Sequence, residues 1–195
     1  MKKITQILLL GFFAIYLSGC GVQSLPKAKN DVEAKLAEIT NQYKRRADLI
    51  PNLVNTVKGF AAQEKETLTA VVEARAKATA STIDPSKVSA EQLQQFQQAQ
   101  GQLSQALGRL MVVVERYPDL KSNQNFLDLQ AQLEGTENRI TIARQRYIES
   151  IRNFNDLVTV FPTNITNSLF FNFEKMPQWD VEPGENVKQA PEVKF

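Results

Sequence analysis

Between residues 30 and 160, apolar side chains recur at steps of three and four, and glycine and proline are too sparse to interrupt them. That spacing lays one apolar stripe along an α-helix, and no stretch sustains the polar–apolar alternation of a half-buried strand. The fold class read from this is all-α: an antiparallel up-and-down bundle of long helices, three long plus a short C-terminal one, with coiled-coil-like packing. The first stripe runs Val32, Leu36, Ile39, Tyr43, Arg46, Ile50, Leu53, Val57, Phe60, Glu64, Thr67, Val71, Ala74, Ala78. Asn30 with Glu33 reads as the capping box that opens it. Pro51 falls inside this stripe without shifting its phase. The reading is one long helix kinked at Pro51, whose ring removes a backbone hydrogen bond and displaces the carbonyl of Ala47.

Thr79 to Val88, with Asp84-Pro85, reads as a loop, and Ser89 with Gln92 caps a second helix. Its stripe is Phe96, Gln100, Leu103, Leu107, Leu110, Val114, Tyr117, and Pro118 stops it. A third helix starts near Ser122 or Asn123, carries Phe126, Gln130, Leu133, Glu137, Ile140, Arg144, Tyr147, Ile151, Phe154, Val158 and Phe161, and ends at Pro162. A short helical turn reaches Phe171. Residues 173–195 read as an extended C-terminal tail, which either docks through Trp179 and Phe195 or stays disordered.

The N-terminus reads as a targeting segment. Lys2 and Lys3 precede an apolar run from Ile7 to Leu17. About eleven apolar residues are too few for a stable span, which needs roughly 20. Leu17-Ser18-Gly19-Cys20 then resembles a bacterial lipobox. That pattern predicts lipidation of the Cys20 sulfur and cleavage between Gly19 and Cys20, because two or more acyl chains hold a protein on a membrane where one is marginal. Cys20 is the only cysteine in the chain, so it has no internal disulfide partner. The segments are therefore 1–19 signal peptide, 20–30 lipidated tether, 31–172 helical bundle and 173–195 tail.

Composition narrows the functions. Cleavage removes two lysines and no acid, so the net charge of +2 falls to zero. A neutral chain lacks the electrostatic footprint of a nucleic-acid binder, and Lys44-Arg45-Arg46 reads as a solvated helix face. The chain has no histidine, which excludes Ser-His-Asp and Cys-His catalysis and removes the commonest metal ligand. No Gly-rich phosphate loop is present. No cofactor and no metal site is expected.

Charged residues also fall in and beside the stripes near mid-bundle. If the three helices run up, down, up, with tight loops, Arg109 lies level with Phe60, Glu137 with Glu66 and Arg144 with Glu73. Glu64, Arg109, Glu137 and Arg144 then form a buried charge network near mid-bundle, which sets register more than it stabilises. The alternative is a carboxylate pair, Glu64 and Glu137, working as acid and base or holding a small ligand. The same alignment lets the first helix overhang its neighbours by about twenty residues, roughly 30 Å. Val32, Leu36, Ile39, Tyr43 and Ile50 would then face water as an interaction stripe for a second copy or a partner helix. The bland alternative is that residues 172–195 fold back over it.

The segments "YKRRADLIPNLVNTVKGFAAQE" (43–64), "ALGRLMVVVERYPDLKSNQNFLDLQAQLEGTENRI" (106–140), "AR" (143–144) and "FP" (161–162) resemble the LemA family. The resemblance covers residues 31–172. It implies an antiparallel helical bundle at the bacterial cell envelope, with no settled biochemical activity, and a relative that takes part in magnetosome membrane formation. Many members carry an N-terminal transmembrane helix where this chain has a lipobox. The combined expectation is a lipid-anchored, non-enzymatic interaction or scaffold protein. Its partners are the membrane, through the lipid, and another protein or a second copy. Gly21 replaces the aspartate that commonly retains lipoproteins at the inner membrane, which points to the outer membrane, facing the periplasm.

Overall fold

The computed structural model describes the backbone of residues 2–179 and the side chains of residues 22–179. The expectations for the signal segment, for Gly19 and Cys20, and for Phe195 lie outside the described side chains. The described chain is helical, with no strand among the described residues. Its elements are α1 (Lys2–Phe60), α2 (Lys65–Ala80), α3 (Ala90–Val114), α4 (Pro118–Lys121), α5 (Gln124–Thr159) and α6 (Thr163–Thr166), followed by a π-helical turn (Asn167–Phe171).

The first long helix differs from its sequence reading. Asn30 lies within α1, where the backbone donors a capping box would satisfy are already bonded, so Asn30 and Glu33 start nothing. Pro51 also sits inside α1, on its exposed side, and the helix continues past it. The interruption comes later, at Ala61–Glu64, where Ala61 is fully buried and the chain reverses. Arg75 Nε in α2 donates to the carbonyl of Ala47 in α1 at 2.8 Å, which places α2 antiparallel to α1. Proline at position 51 has no N–H to give Ala47, and a buried carbonyl left unpaired is costly. The Arg75 guanidinium takes the place of that missing donor.

The extra reversal makes four packed helices. Arg46–Glu137, Tyr43–Arg144 and Glu38–Arg146 contacts step in opposite directions along α1 and α5, so that pair is antiparallel. It is also the most extensive interface in the molecule. Arg46 meets Gln100 and Gln63 meets Tyr117, so α3 runs parallel to α1. The capping box at Ser89 and Gln92 is present in both directions, and Asn123 caps α5 through Phe126 N–H. These local signals hold because each depends only on residues within one turn.

Since α2 covers only one half of α1, the core divides into two clusters. Towards the α1–α2 turn, Ile50, Leu53, Val57, Val71, Leu103, Leu110, Leu120 and Phe126 pack between four helices. In the other half, Val32, Leu36, Ile39 and Tyr43 pack with Phe96, Ile140, Tyr147, Ile151, Phe154 and Trp179. The proposed interaction stripe is thus internal core: Val32, Leu36, Ile39, Tyr43 and Ile50 are all buried. The expected overhang vanishes because α2 folds back and resets the register of α3 and α5 against α1. Helix α5 then reaches the level of Leu25.

The C-terminal segment completes this second half. Asn172 adopts a left-handed backbone with φ 52° and ends the π-helical turn, a conformation asparagine tolerates better than most residues. Asn167 clamps both backbone groups of Phe173, and Asn155 clamps both of Met176. So held, the extended chain delivers Trp179 edge-on to Phe96 and Tyr147, at 6.4 and 5.9 Å between centroids. The described part of the tail, up to residue 179, docks through Trp179.

Two outcomes follow for stability. Leu36→Ala is expected to destabilise the bundle by about 2–5 kcal/mol, because the site is enclosed on all sides; a urea midpoint unchanged from the parent would contradict the burial. Arg75→Ala is expected to cost about 1–3 kcal/mol, through an unsatisfied Ala47 carbonyl. Pro51→Ala restores an N–H to that carbonyl, so the double mutant is expected to recover most of the loss. A cycle of urea midpoints that shows strict additivity would refute the substitution of donors.

Candidate functional site

The polar layer of the bundle is built around Arg46, which occupies an apolar-stripe position between Tyr43 and Ile50. Its neighbours Lys44 and Arg45 point to solvent, but Arg46 is only 3% exposed. The reading of 44–46 as one solvated face therefore fails at Arg46. Its Nη1 donates to Glu137 Oε2 at 2.9 Å and to Ser104 Oγ at 3.0 Å. Its Nη2 donates to the Gln100 side-chain oxygen at 2.8 Å and to the Gln100 carbonyl at 3.2 Å. The guanidinium also lies over the Tyr43 ring, 4.9 Å from the centroid. Gln100 in turn donates to the Ala78 carbonyl at 3.3 Å, which brings in α2.

Arg144 approaches the same layer from α5. Its Nη2 donates to the Tyr43 hydroxyl at 3.3 Å, and its guanidinium sits over Trp179 at 5.7 Å. Burial raises the Tyr43 phenol above its ordinary range, against the pull of the Arg144 and Arg46 cations. A cavity of about 140 Å³ opens here, lined by Tyr43, Arg46, Gln100, Ser104, Glu137 and Arg144. The buried Nε atoms of Arg46 and Arg144 have no hydrogen-bond partner.

Of the four charges predicted to meet at mid-bundle, the structure brings together two, Glu137 and Arg144. Arg109 is exposed on α3. Glu64 lies at the end of the bundle, in the α1–α2 turn. There it accepts from the Tyr117 hydroxyl at 2.8 Å and from Arg116 Nη2 at 3.2 Å. Tyr117 also accepts from Gln63, so this contact ties the α1–α2 turn to the end of α3. Both displacements follow from the reversal at Ala61–Glu64, which puts Glu64 at a corner and turns α3 around. Arg46 is the residue that sequence reasoning missed. Its stripe position was the available signal, overridden by the two flanking cations.

Chemically, the layer holds one carboxylate, Glu137, already bonded to Arg46. The acid–base pair that Glu64 and Glu137 would have made is not assembled. Among the described residues, no group of three or more His, Cys, Asp or Glu side chains stands together as a metal site.

A family description agrees with this architecture: the LemA family matches residues 35–195. The chain belongs to the LemA family. Protein LemA of Metamycoplasma hominis is 25% identical over 186 residues, covering 92% of this chain and 81% of that protein. Magnetosome protein MamQ of Magnetospirillum gryphiswaldense is 27% identical over 96 residues, 49% of this chain and 35% of its own length. Magnetosome protein MamQ 2 of Paramagnetospirillum magneticum is 36% identical over 66 residues, 34% of this chain and 24% of its own. LemA membership points to a membrane-associated or cell-envelope protein. Among the described residues no helix is long and apolar enough to cross a membrane; residues 7–17 lie outside that set. The LemA match also takes in the tail, which the sequence reading had left outside the bundle and which Trp179 joins to it.

Removing the Arg46 guanidinium is expected to cost more than removing its partner. Arg46→Ala strands Gln100 and Glu137 and should cost about 3–5 kcal/mol. Glu137→Ala should cost about 1–3 kcal/mol, because half of that side chain is hydrated. Arg109→Ala should stay within about 0.5 kcal/mol. A double-mutant cycle of denaturant midpoints at 46 and 137 with no coupling would refute the pair.

Tyr147 supplies a pH test. Burial pushes its phenol up to about 12, and its hydroxyl has no hydrogen-bond partner. The folded state therefore favours the neutral form. That stability is complete below the unfolded value of about 10 and is lost as pH rises towards 12, by up to about 3 kcal/mol. Tyr147→Phe is expected to flatten most of this alkaline loss and to be neutral or stabilising at pH 7. Midpoints measured from pH 8 to 12 on both chains check it.

Proposed function

We propose that this LemA protein is a lipid-anchored, non-enzymatic helical bundle that serves as an interaction scaffold at the cell envelope, held at the outer membrane and facing the periplasm. The observation that carries this reading is the continuity of α1 from residue 20, the lipobox cysteine left after residues 1–19 are removed, into the bundle core. The bundle is thereby an extension of the segment that meets the membrane. The placement of Glu64 in the α1–α2 turn, away from Glu137, supports a non-enzymatic role, as do the four hydrogen bonds that engage both terminal nitrogens of Arg46 within the bundle. The MamQ relatives are magnetosome proteins by name, which accords with a membrane setting. The alternative, a small-ligand binder, rests on the cavity beside Glu137 and Arg144.

Cys20→Ser is expected to move the protein from the membrane pellet to the soluble fraction with its helical circular dichroism unchanged, since residue 20 precedes the buried core. Mass spectrometry of the mature N-terminus is expected to find acylated Cys20. A free thiol at residue 20, or an uncleaved N-terminus, would sink the lipid anchor.

A further inference from the structure

The foot of the bundle carries the largest cluster of exposed apolar side chains in its described part. Phe161 is 74% exposed, Leu169 70%, Phe170 66%, Val160 55% and Ile165 50%. All five lie on α6, on the π-helical turn, or in the connection that leads to them from α5. These elements pack against α1 and α5, and Lys29 of α1 lies over the Phe173 ring at 5.2 Å. The antiparallel register of α1 and α5 puts Val22, itself exposed, level with this cap.

A cluster of this kind is unusual on a surface that faces only water. Its position decides what covers it. Along α1, Cys20 is about 3 Å and Leu17 about 8 Å below Val22, at 1.5 Å per residue. An interfacial apolar face sinks about 5–10 Å into the headgroup boundary. With residue 20 or the apolar run beside it at the bilayer surface, Phe161, Leu169 and Phe170 stand inside that boundary. Phe and Leu are typical of the apolar face that interfacial elements bury at this depth. The exposed charges flanking the cap are balanced in sign, Lys27 and Lys175 against Asp31 and Glu174, and half-buried Lys29 is paired with Glu33. Attraction to anionic lipid is therefore not the driving force; burial of apolar surface is.

We infer that the cap formed by residues 160–171 is a second membrane contact, which seats the foot of the bundle in the bilayer interface and holds α1 at a set angle to it. This deepens the anchor reading above and rests on it. The test uses the full chain, purified from membranes and reconstituted in phosphatidylcholine vesicles, with and without bromine on the acyl chains. Phe170→Trp and Leu169→Trp place a fluorophore on exposed positions of the cap. Phe60→Trp places one at the far end, and the buried Trp179 is common to all three. The cap tryptophans are expected to lose about half their emission in brominated lipid, and Trp at position 60 none. Equal emission in both lipids, in a chain that floats with the vesicles, overturns the second contact and leaves the anchor standing. A chain that does not float overturns both. Cross-linking of Phe170→Cys between two copies on the vesicle, with no quenching, assigns the cap to a second copy and also overturns the inference.

Discussion

The guanidinium of Arg46 is the point at which the packed helices meet. It reaches α3 through Gln100 and Ser104, α5 through Glu137, and α2 through the relay from Gln100 to the Ala78 carbonyl. A buried cation of this kind adds little net stability, because removing it from water costs about as much as its partners return. Its effect is on register. Sliding any of the three helices by a turn would leave a buried charge or a buried amide without a partner, which a purely apolar seam would not penalise so sharply. The rest of the arrangement, including the two halves of the core, is consistent with this single alignment.

The two ends of the bundle solve different problems. At the α1–α2 turn, Glu64, Gln63 and Tyr117 join two corners through side-chain hydrogen bonds, and four helices close the core. At the foot, α2 is absent, and the space beside α1, α3 and α5 needs another cover. The chain supplies it with an extended segment that brings Trp179 against Phe96, Tyr147 and Arg144. Extended backbone has no internal hydrogen bonds of its own, so it needs partners from outside. Asn155 and Asn167 provide them, each acting through both its amide oxygen and its amide nitrogen. The LemA match, which continues past residue 172, covers this segment as well as the helices.

This division also separates stability from contact with the surroundings. At mid-bundle the Arg46 guanidinium is buried with both terminal nitrogens bonded, and the apolar stripe of α1 is consumed by the core. What remains for interaction is at the foot, where the apolar side chains of residues 160–171 are left outside the packing. They share that end with the helix that leads to the N-terminal apolar run.

Sequence alone determined the helical class, the stripes at Phe96 to Val114 and Phe126 to Phe154, the cap at Ser89, and a helix start at Ser122 or Asn123, of which the structure uses Asn123. Each of these rests on residues within a turn or two of one another, where spacing and hydrogen-bond reach leave few options. It also placed Glu137 and Arg144 on the stripe of α5 that meets the polar layer, although half of the Glu137 side chain stays exposed, and it foresaw that Pro51 would disturb the Ala47 carbonyl. The tertiary structure alone decided the reversal at Ala61–Glu64, and with it the fates of Glu64, Arg109, Arg46 and the Val32–Ile50 stripe. The apolar phase runs on through Phe60, Glu64 and Thr67, and no proline or left-handed glycine marks the corner. A straight helix and a hairpin therefore bury the same local pattern. Only the pairing of Arg75 with Ala47, and of Arg46 with three other helices, distinguishes them, and those contacts exist only once the distant segments have met.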